Sequence, residues 1–388
     1  MGSVASACKR VGDVIALTAA VGHRSATIQA ASSKLMRLRF MHEALFRVAL
    51  IASLSIASHA GEPSGVLPDA AAATPQGRAA EARWEKFAAQ NARSGDMRLQ
   101  LLFGRSTITL EQFVERARGS TDPLVLSILS ERCDAPMSTN KKSETAPETT
   151  STDCDGVELA RRWVAVDTEN QLAWLTLATL LDRRGALDEA RSTFMRAARA
   201  SSYRTLYGEA ARTILRIVPR DLNPSERLSF AYGIVRVQSA VPFPTFQPLI
   251  RTCKLTEMRD ACMRIADIMF RDCESLIELF TATELSGRLG VERETARYRI
   301  ERFYALRWLM RQGIAPDEPS IDDAATIDRF VGDLEKRASL GELAWFRDLL
   351  RQRGVSEAEA AARYEKSITA EQRLQLEAVM KPWNAGVP

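Results

Sequence analysis

The sequence predicts an all-α protein built of stacked antiparallel helix pairs, and three observations lead there. From about residue 78 onward, apolar residues recur at the spacing of one helix face. The breaks between these stretches are short and carry Gly, Pro or Asn. Valine-rich alternation and hairpin-type glycine turns, the marks of strands, do not stand out.

The elements follow in order. The stretch 79–91 is amphipathic, with Trp84 and Phe87 on its apolar side. The stretch 109–118 opens on Thr109 as a cap and places Glu111 in its first turn. The stretch 122–132 opens on Asp122-Pro123, a good helix entry because the missing proline N–H falls where no intrahelical bond is made. Residues 134–153 are rich in Ser, Thr, Lys, Glu and Pro with almost no apolar side chain, and are expected to form a disordered loop. Helices are then expected at 157–166, 204–218, 225–237, 257–269, 275–289 and 292–311. Three more are expected between 321 and 380, with capped starts at Ser356 and Thr369, before a frayed tail.

The chain has 388 residues, is 46% hydrophobic and 26% charged, and carries a formal charge of +4. That charge is unevenly placed. Residues 1–60 hold seven of the 53 Lys/Arg and two of the 49 Asp/Glu, so residues 61–388 are at net −1. Neutralising phosphates needs surplus positive charge, so a nucleic-acid partner is not expected. All three histidines (His23, His42, His59) also lie in the first 60 residues.

That segment has the order of a secretory signal peptide. Met36 to Arg47 is short and basic, residues 48–57 (VALIASLSIA) are apolar, and Ser58-His59-Ala60 puts small residues at −3 and −1 before Gly61. The apolar run is shorter than the roughly 20 residues that a spanning helix needs. A buried core helix is the competing reading of the same run. The Ala-, Pro- and Gly-rich stretch 61–77 then reads as an unstructured mature amino terminus. Residues 1–35 are an upstream extension, and either Met1 or Met36 is the start. Met1-Gly2-Ser3-Val4-Ala5-Ser6 also fits a myristoylation pattern, with Cys8 as a palmitoylation candidate. With residues 1–60 removed, the chain would have no histidine for Ser-His-Asp or Cys-His catalysis or for zinc.

Five cysteines follow the leader, and in an oxidising compartment pairing is the expectation. Cys133 and Cys154 bracket the polar stretch and would tie off a surface insertion. On one straight helix Cys262 and Cys273 would be about 16 Å apart, beyond the roughly 7 Å that a disulfide allows. A break at Lys254-Leu255-Thr256, with Thr256 as cap, would let Cys253 meet Cys262. Cys273 is then the odd thiol, read as a core residue. No CxxC pair suggests a metal or thioredoxin-like site.

One segment shows a repeat pattern. In 171–202, Trp174, Leu177, Ala178 and Leu181 fall at large, large, small and large positions of a first helix. Gly185 sits at the turn, and Ala190, Phe194 and Ala197 take small, large and small positions of a second. Asp167-Thr168-Glu169-Asn170 precedes it as a link. This stretch resembles a tetratricopeptide repeat (TPR) over about 34 residues, the standard repeat length. Thr168 and Ser202 stand where the family has proline. The resemblance implies that the small residues let the two helices approach, while Trp174, Leu177 and Phe194 fill the space to the next pair. It fades elsewhere in 155–312. It implies an α-solenoid with an extended concave face for a protein or peptide partner.

The resulting division is extension 1–35, signal peptide 36–60, linker and helices 61–132, disulfide-tied loop 133–154, TPR-like region 155–312 and carboxyl-terminal helices 313–388. No P-loop, dinucleotide fingerprint or nucleophile elbow occurs. No residue is singled out as catalytic, cofactor-binding or metal-ligating, and no cofactor is expected. The leading functional expectation is an exported, periplasmic interaction or scaffold protein with no stable membrane span after signal cleavage. The alternatives are a Glu/Asp-dependent hydrolase or lyase acting on cell-wall glycan, and a cytosolic regulator with reduced cysteines.

Overall fold

A computed structural model describes residues 72–104, 109–134, 154–238, 241, 245–311 and 324–379. All of them lie in the second of the two units, 1–60 and 61–388, into which the chain divides. The expected signal peptide and most of the polar loop (135–153) fall outside the described residues. Seventeen α-helices and no strand are present among the described residues, and the one extended pairing is a single bridge between Asn170 and Ser202.

The helix starts follow local chemistry. Helix α1 (Pro75–Ala92) begins inside the stretch expected to be unstructured, because Thr74 Oγ1 accepts the Gly77 N–H at 2.9 Å and Pro75 takes the first helical position. Helix α2 (Met97–Phe103) is not foreseen by the periodicity. Its Asp96 cap accepts the Arg98 N–H at 2.8 Å, but seven residues are too few for a face to repeat. Helix α3 (Leu110–Arg116) carries the Thr109–Gln112 capping box, and α4 (Pro123–Asp134) opens on Asp122.

Next come α5 (Gly156–Val166), α6 (Gln171–Arg183), α7 (Leu187–Ala197), α8 (Tyr207–Leu215) and α9 (Pro224–Gln238). They are followed by the short α10 (Gln247–Thr252), a 3-10 turn at Thr256–Met258, α11 (Arg259–Asp272), α12 (Leu276–Leu289) and α13 (Arg293–Arg311). The carboxyl region holds four helices rather than three: α14 (Ala324–Leu340), α15 (Glu342–Gln352), α16 (Glu357–Ser367) and α17 (Ala370–Val379). Gly341 separates α14 from α15 at φ +88°, a conformation in which other residues are strained. Ser356 and Thr369 cap α16 and α17 through the N–H groups of Glu359 and Gln372 at 3.1 and 3.2 Å.

Neighbouring helices stack. Helix α4 packs on α5, α5 on α6, α6 on α7, α7 on α11, α11 on α12, α12 on α13, and α13 on α16. A large core runs through this stack and encloses Trp163, Phe194, Tyr203 and Ile265. The chain leaves the stack at α8 and α9. These two pack on each other, but α9 also packs on α1 and α14, and α8 on α14. Ala80 of α1, Leu228 and Ala231 of α9, and Ile327, Phe330, Val331 and Leu334 of α14 form a second, smaller cluster there.

Candidate functional site

The repeat-like segment forms α6 and α7. Leu177, Ala178, Leu181, Ala190, Phe194 and Ala197 are all buried. Gly185 makes the turn at φ +77°. Trp174 differs from expectation. It is only half-buried, donates its indole N–H to the Thr168 carbonyl at 2.8 Å, and lies under the Arg196 guanidinium at 5.9 Å. Val166 at the end of α5 is 42% exposed, and Met195 on α7, next in sequence to Arg196, is 46% exposed.

Apart from Trp174, every residue from Gln171 to Leu181 is buried. Helix α10 packs against α6 from the chain itself, and Arg251 of α10 pairs with Asp182.

The link before α6 is held by one side chain. Asn170 is fully buried, and its amide nitrogen donates to Asp167 at 3.0 Å and to the Arg204 carbonyl at 3.1 Å. Its amide oxygen accepts the Leu172 N–H at 3.1 Å and the Arg204 N–H at 3.0 Å. Asp167 also pairs with Arg204. Asn170 thus uses its whole hydrogen-bonding capacity to tie the start of α6 to the chain after α7. Asn170→Ala is expected to lower stability by about 3 kcal/mol, read as a fall in the urea midpoint at unchanged slope, because it strands buried backbone groups.

The cysteines pair as the spacing indicates. Cys133 and Cys154 are joined with Cα atoms 5.3 Å apart, at the end of α4 and just before α5. Cys253 and Cys262 are joined with Cα atoms 5.7 Å apart, across the turn between α10 and α11. The break lies slightly later than expected. Leu255 precedes the 3-10 turn and Met258 precedes α11, so Thr256 caps neither helix. Cys273 is unpaired and buried, and burial raises its thiol well above the usual range, which keeps it protonated and inert.

The most perturbed carboxyl group, Glu278, was not singled out from the sequence. It is fully buried on the first turn of α12, where it accepts the N–H groups of Glu274 and Ser275 at 2.9 and 3.0 Å and the Tyr203 hydroxyl at 3.1 Å. Burial pushes it up to about 7, against the pull of those donors. The readable signal is the Ser275-to-Glu278 spacing of a capping box. Its enclosure leaves no path for a glycan, so it gives the hydrolase reading no support.

A cleft of about 360 Å³ lies where α2, α4 and α8 meet, with Met97, Val125 and Ile217 among its lining. Its two carboxylates are engaged: Asp96 caps α2, and Asp122 accepts the Leu124 N–H at 3.0 Å and pairs with Arg98. Among the described residues, no group of three or more His, Cys, Asp or Glu is placed to hold a metal, and no helix is long and apolar enough to cross a membrane.

Comparison of the chain with protein-family models, with curated proteins and with solved structures gives no match.

Proposed function

We propose that the chain is an exported, TPR-like interaction scaffold of the cell envelope, working in the periplasm on a protein or peptide partner. The compartment reading is supported by the two cysteine pairs at disulfide distance, since such bonds persist in oxidising surroundings. The partner reading is carried by one observation: a half-exposed Trp174 beneath the Arg196 guanidinium. Trp, Arg and Met are enriched at protein interfaces, and Trp and Arg dominate the energetic centres of such surfaces.

Mass spectrometry of the protein from its native cells tests the compartment. A chain starting at Gly61 with Cys133 bonded to Cys154 is expected; intact residues 1–60, or free thiols at that pair, overturn the reading. A photoreactive side chain at Met195 tests the surface. A discrete adduct that disappears with Trp174→Ala or Arg196→Glu is expected, and an adduct indifferent to both changes sinks it.

A further inference from the structure

Among the described residues, no cation is in contact with the Glu278 carboxyl. Three donors reach it, two backbone N–H groups and one tyrosine hydroxyl. A fully buried carboxylate is ordinarily paired with a positive charge, because leaving water unpaired costs far more than hydrogen bonds from neutral groups return. Its surroundings add negative groups instead. Glu274 precedes it in the same turn, accepts the Thr205 hydroxyl and is itself pushed up by burial. Asp272 accepts the Tyr203 N–H at 3.0 Å. Glu342 accepts the Leu276 N–H at 2.9 Å.

Among the described residues, the other charged groups near the junction have partners of their own; Glu131, which adds to the upward push on Tyr207, pairs with Arg183 at 3.3 Å. Tyr203, Tyr207 and the Cys273 thiol are neutral, each held up by burial. Arg271 is held by Asp272, and Arg337 by Glu342 at 2.9 Å. Arg212 donates to the Ser339 carbonyl at 2.7 Å and draws Glu274 down; Arg347 pairs with Glu357 at 3.3 Å and draws Cys273 down.

This junction joins three chain turns that are distant in sequence. Glu278 gathers the N–H groups of Glu274 and Ser275 and so shapes the turn between α11 and α12. That turn presents the Leu276 N–H to Glu342 and the Glu274 carbonyl to the Leu343 N–H at 3.0 Å. Gly341 lies directly against Glu274, where an added Cβ would come within 3.0 Å of the Glu274 Cβ. The Tyr203 hydroxyl brings in the turn between α7 and α8. One attachment of the α14–α15 turn therefore runs through the geometry that Glu278 sets, beside the apolar packing of α14 on α8 and α9.

We propose that this junction is a proton-controlled latch: a proton on the Glu278 carboxyl keeps the α14–α15 turn docked on the α11–α12 turn, and its loss loosens that attachment. The proton resides on Oε1, because Oε2 already accepts both N–H groups, and the facing Tyr203 oxygen can donate or accept. The sign follows from linkage. The folded-state value of about 7 lies above the ordinary 4.5, so the contribution is complete below about pH 4.5 and is lost as pH rises to about 7.

Hydrogen exchange of the whole protein, corrected for the intrinsic pH dependence of exchange, tests the latch. From pH 5 to pH 8, protection of amides 274–278 and 343 is expected to fall on the order of tenfold, while amides of α6 stay level. Glu278→Gln, which keeps an acceptor for both N–H groups and a donor toward Tyr203, is expected to abolish the fall. Tyr203→Phe, which removes a donor that favours the ionised form, is expected to move its midpoint to higher pH. Protection that does not change with pH in the native sequence, an unaltered fall in Glu278→Gln, or an unmoved midpoint in Tyr203→Phe would each overturn the proposal.

Discussion

Gly233→Ala is expected to destabilise the protein by about 3 kcal/mol, at the upper end of what overpacking costs. Gly233 lies on α9 directly under the indole of Trp84 from α1, and an added Cβ would overlap the ring atoms Cε2, Cζ2 and Cδ2. The ring has nowhere to retreat. It is buried among Phe87, Phe103 and Phe230, with centroids 5.6, 5.9 and 5.2 Å away. Close-packed interiors accept an extra methyl only by moving several side chains together. The overlap would also push α1 off α9, straining the Arg83 ion pairs to Asp221 and Glu226 at 3.0 and 2.7 Å. Chemical denaturation of the single variant measures the loss. Combining it with Trp84→Leu should be less damaging than the two changes summed, because the smaller side chain vacates the space that the methyl needs. Strict additivity would mean that the two residues do not meet.

Reduction of both disulfides is expected to remove about 6 kcal/mol, a large share of the 5–15 kcal/mol by which domains are ordinarily stable. The Cys133–Cys154 bond closes a chain separation of 21 residues and the Cys253–Cys262 bond one of 9. Loop-closure entropy assigns each about 3 kcal/mol, with slightly more to the longer loop. Paired Cys→Ser variants should therefore rank in that order in thermal unfolding, and reductant should have no further effect on the variant lacking both bonds. Cys273 should not scramble the pairing, since its buried thiol stays protonated. An unfolding midpoint that ignores reductant would remove the bonds from the account of stability.

Much of the fold was legible because local rules govern it. The 3.6-residue period marks α5, α8 and α11, and Thr109, Ser356 and Thr369 announce helix starts through bonds to residues three positions on. The reach of a disulfide, set against the rise of a helix, selects Cys253 and Cys262. Where the reading fell short, the element was too short or its signal too small. Helices α2 and α10 span seven and six residues, and the division of α14 from α15 depends on one glycine at φ +88°.

The candidate surface and the buried junction were much less legible. Trp174 sits at a large-residue position of its helix, and the pattern alone would have buried it; its exposure depends on what α5 and α7 place beside it. Glu278 looks like any capping-box acid. It becomes unusual only because Tyr203, 75 residues earlier, and Glu342, 64 residues later, close over the same turn.

By itself, then, the sequence determined the helical class, most helix boundaries, the cysteine pairs, and the net charge of −1 over residues 61–388, since each follows from chemistry within a few turns of chain. Tertiary structure alone decided that α9 leaves the stack to join α1 and α14, that α10 packs on α6, that Trp174 stays half-exposed, and that Glu278 loses contact with water. Period and capping say which face of a helix is apolar. They do not say which other face will meet it, and burial, with every pKa shift that burial brings, belongs to the pair of faces.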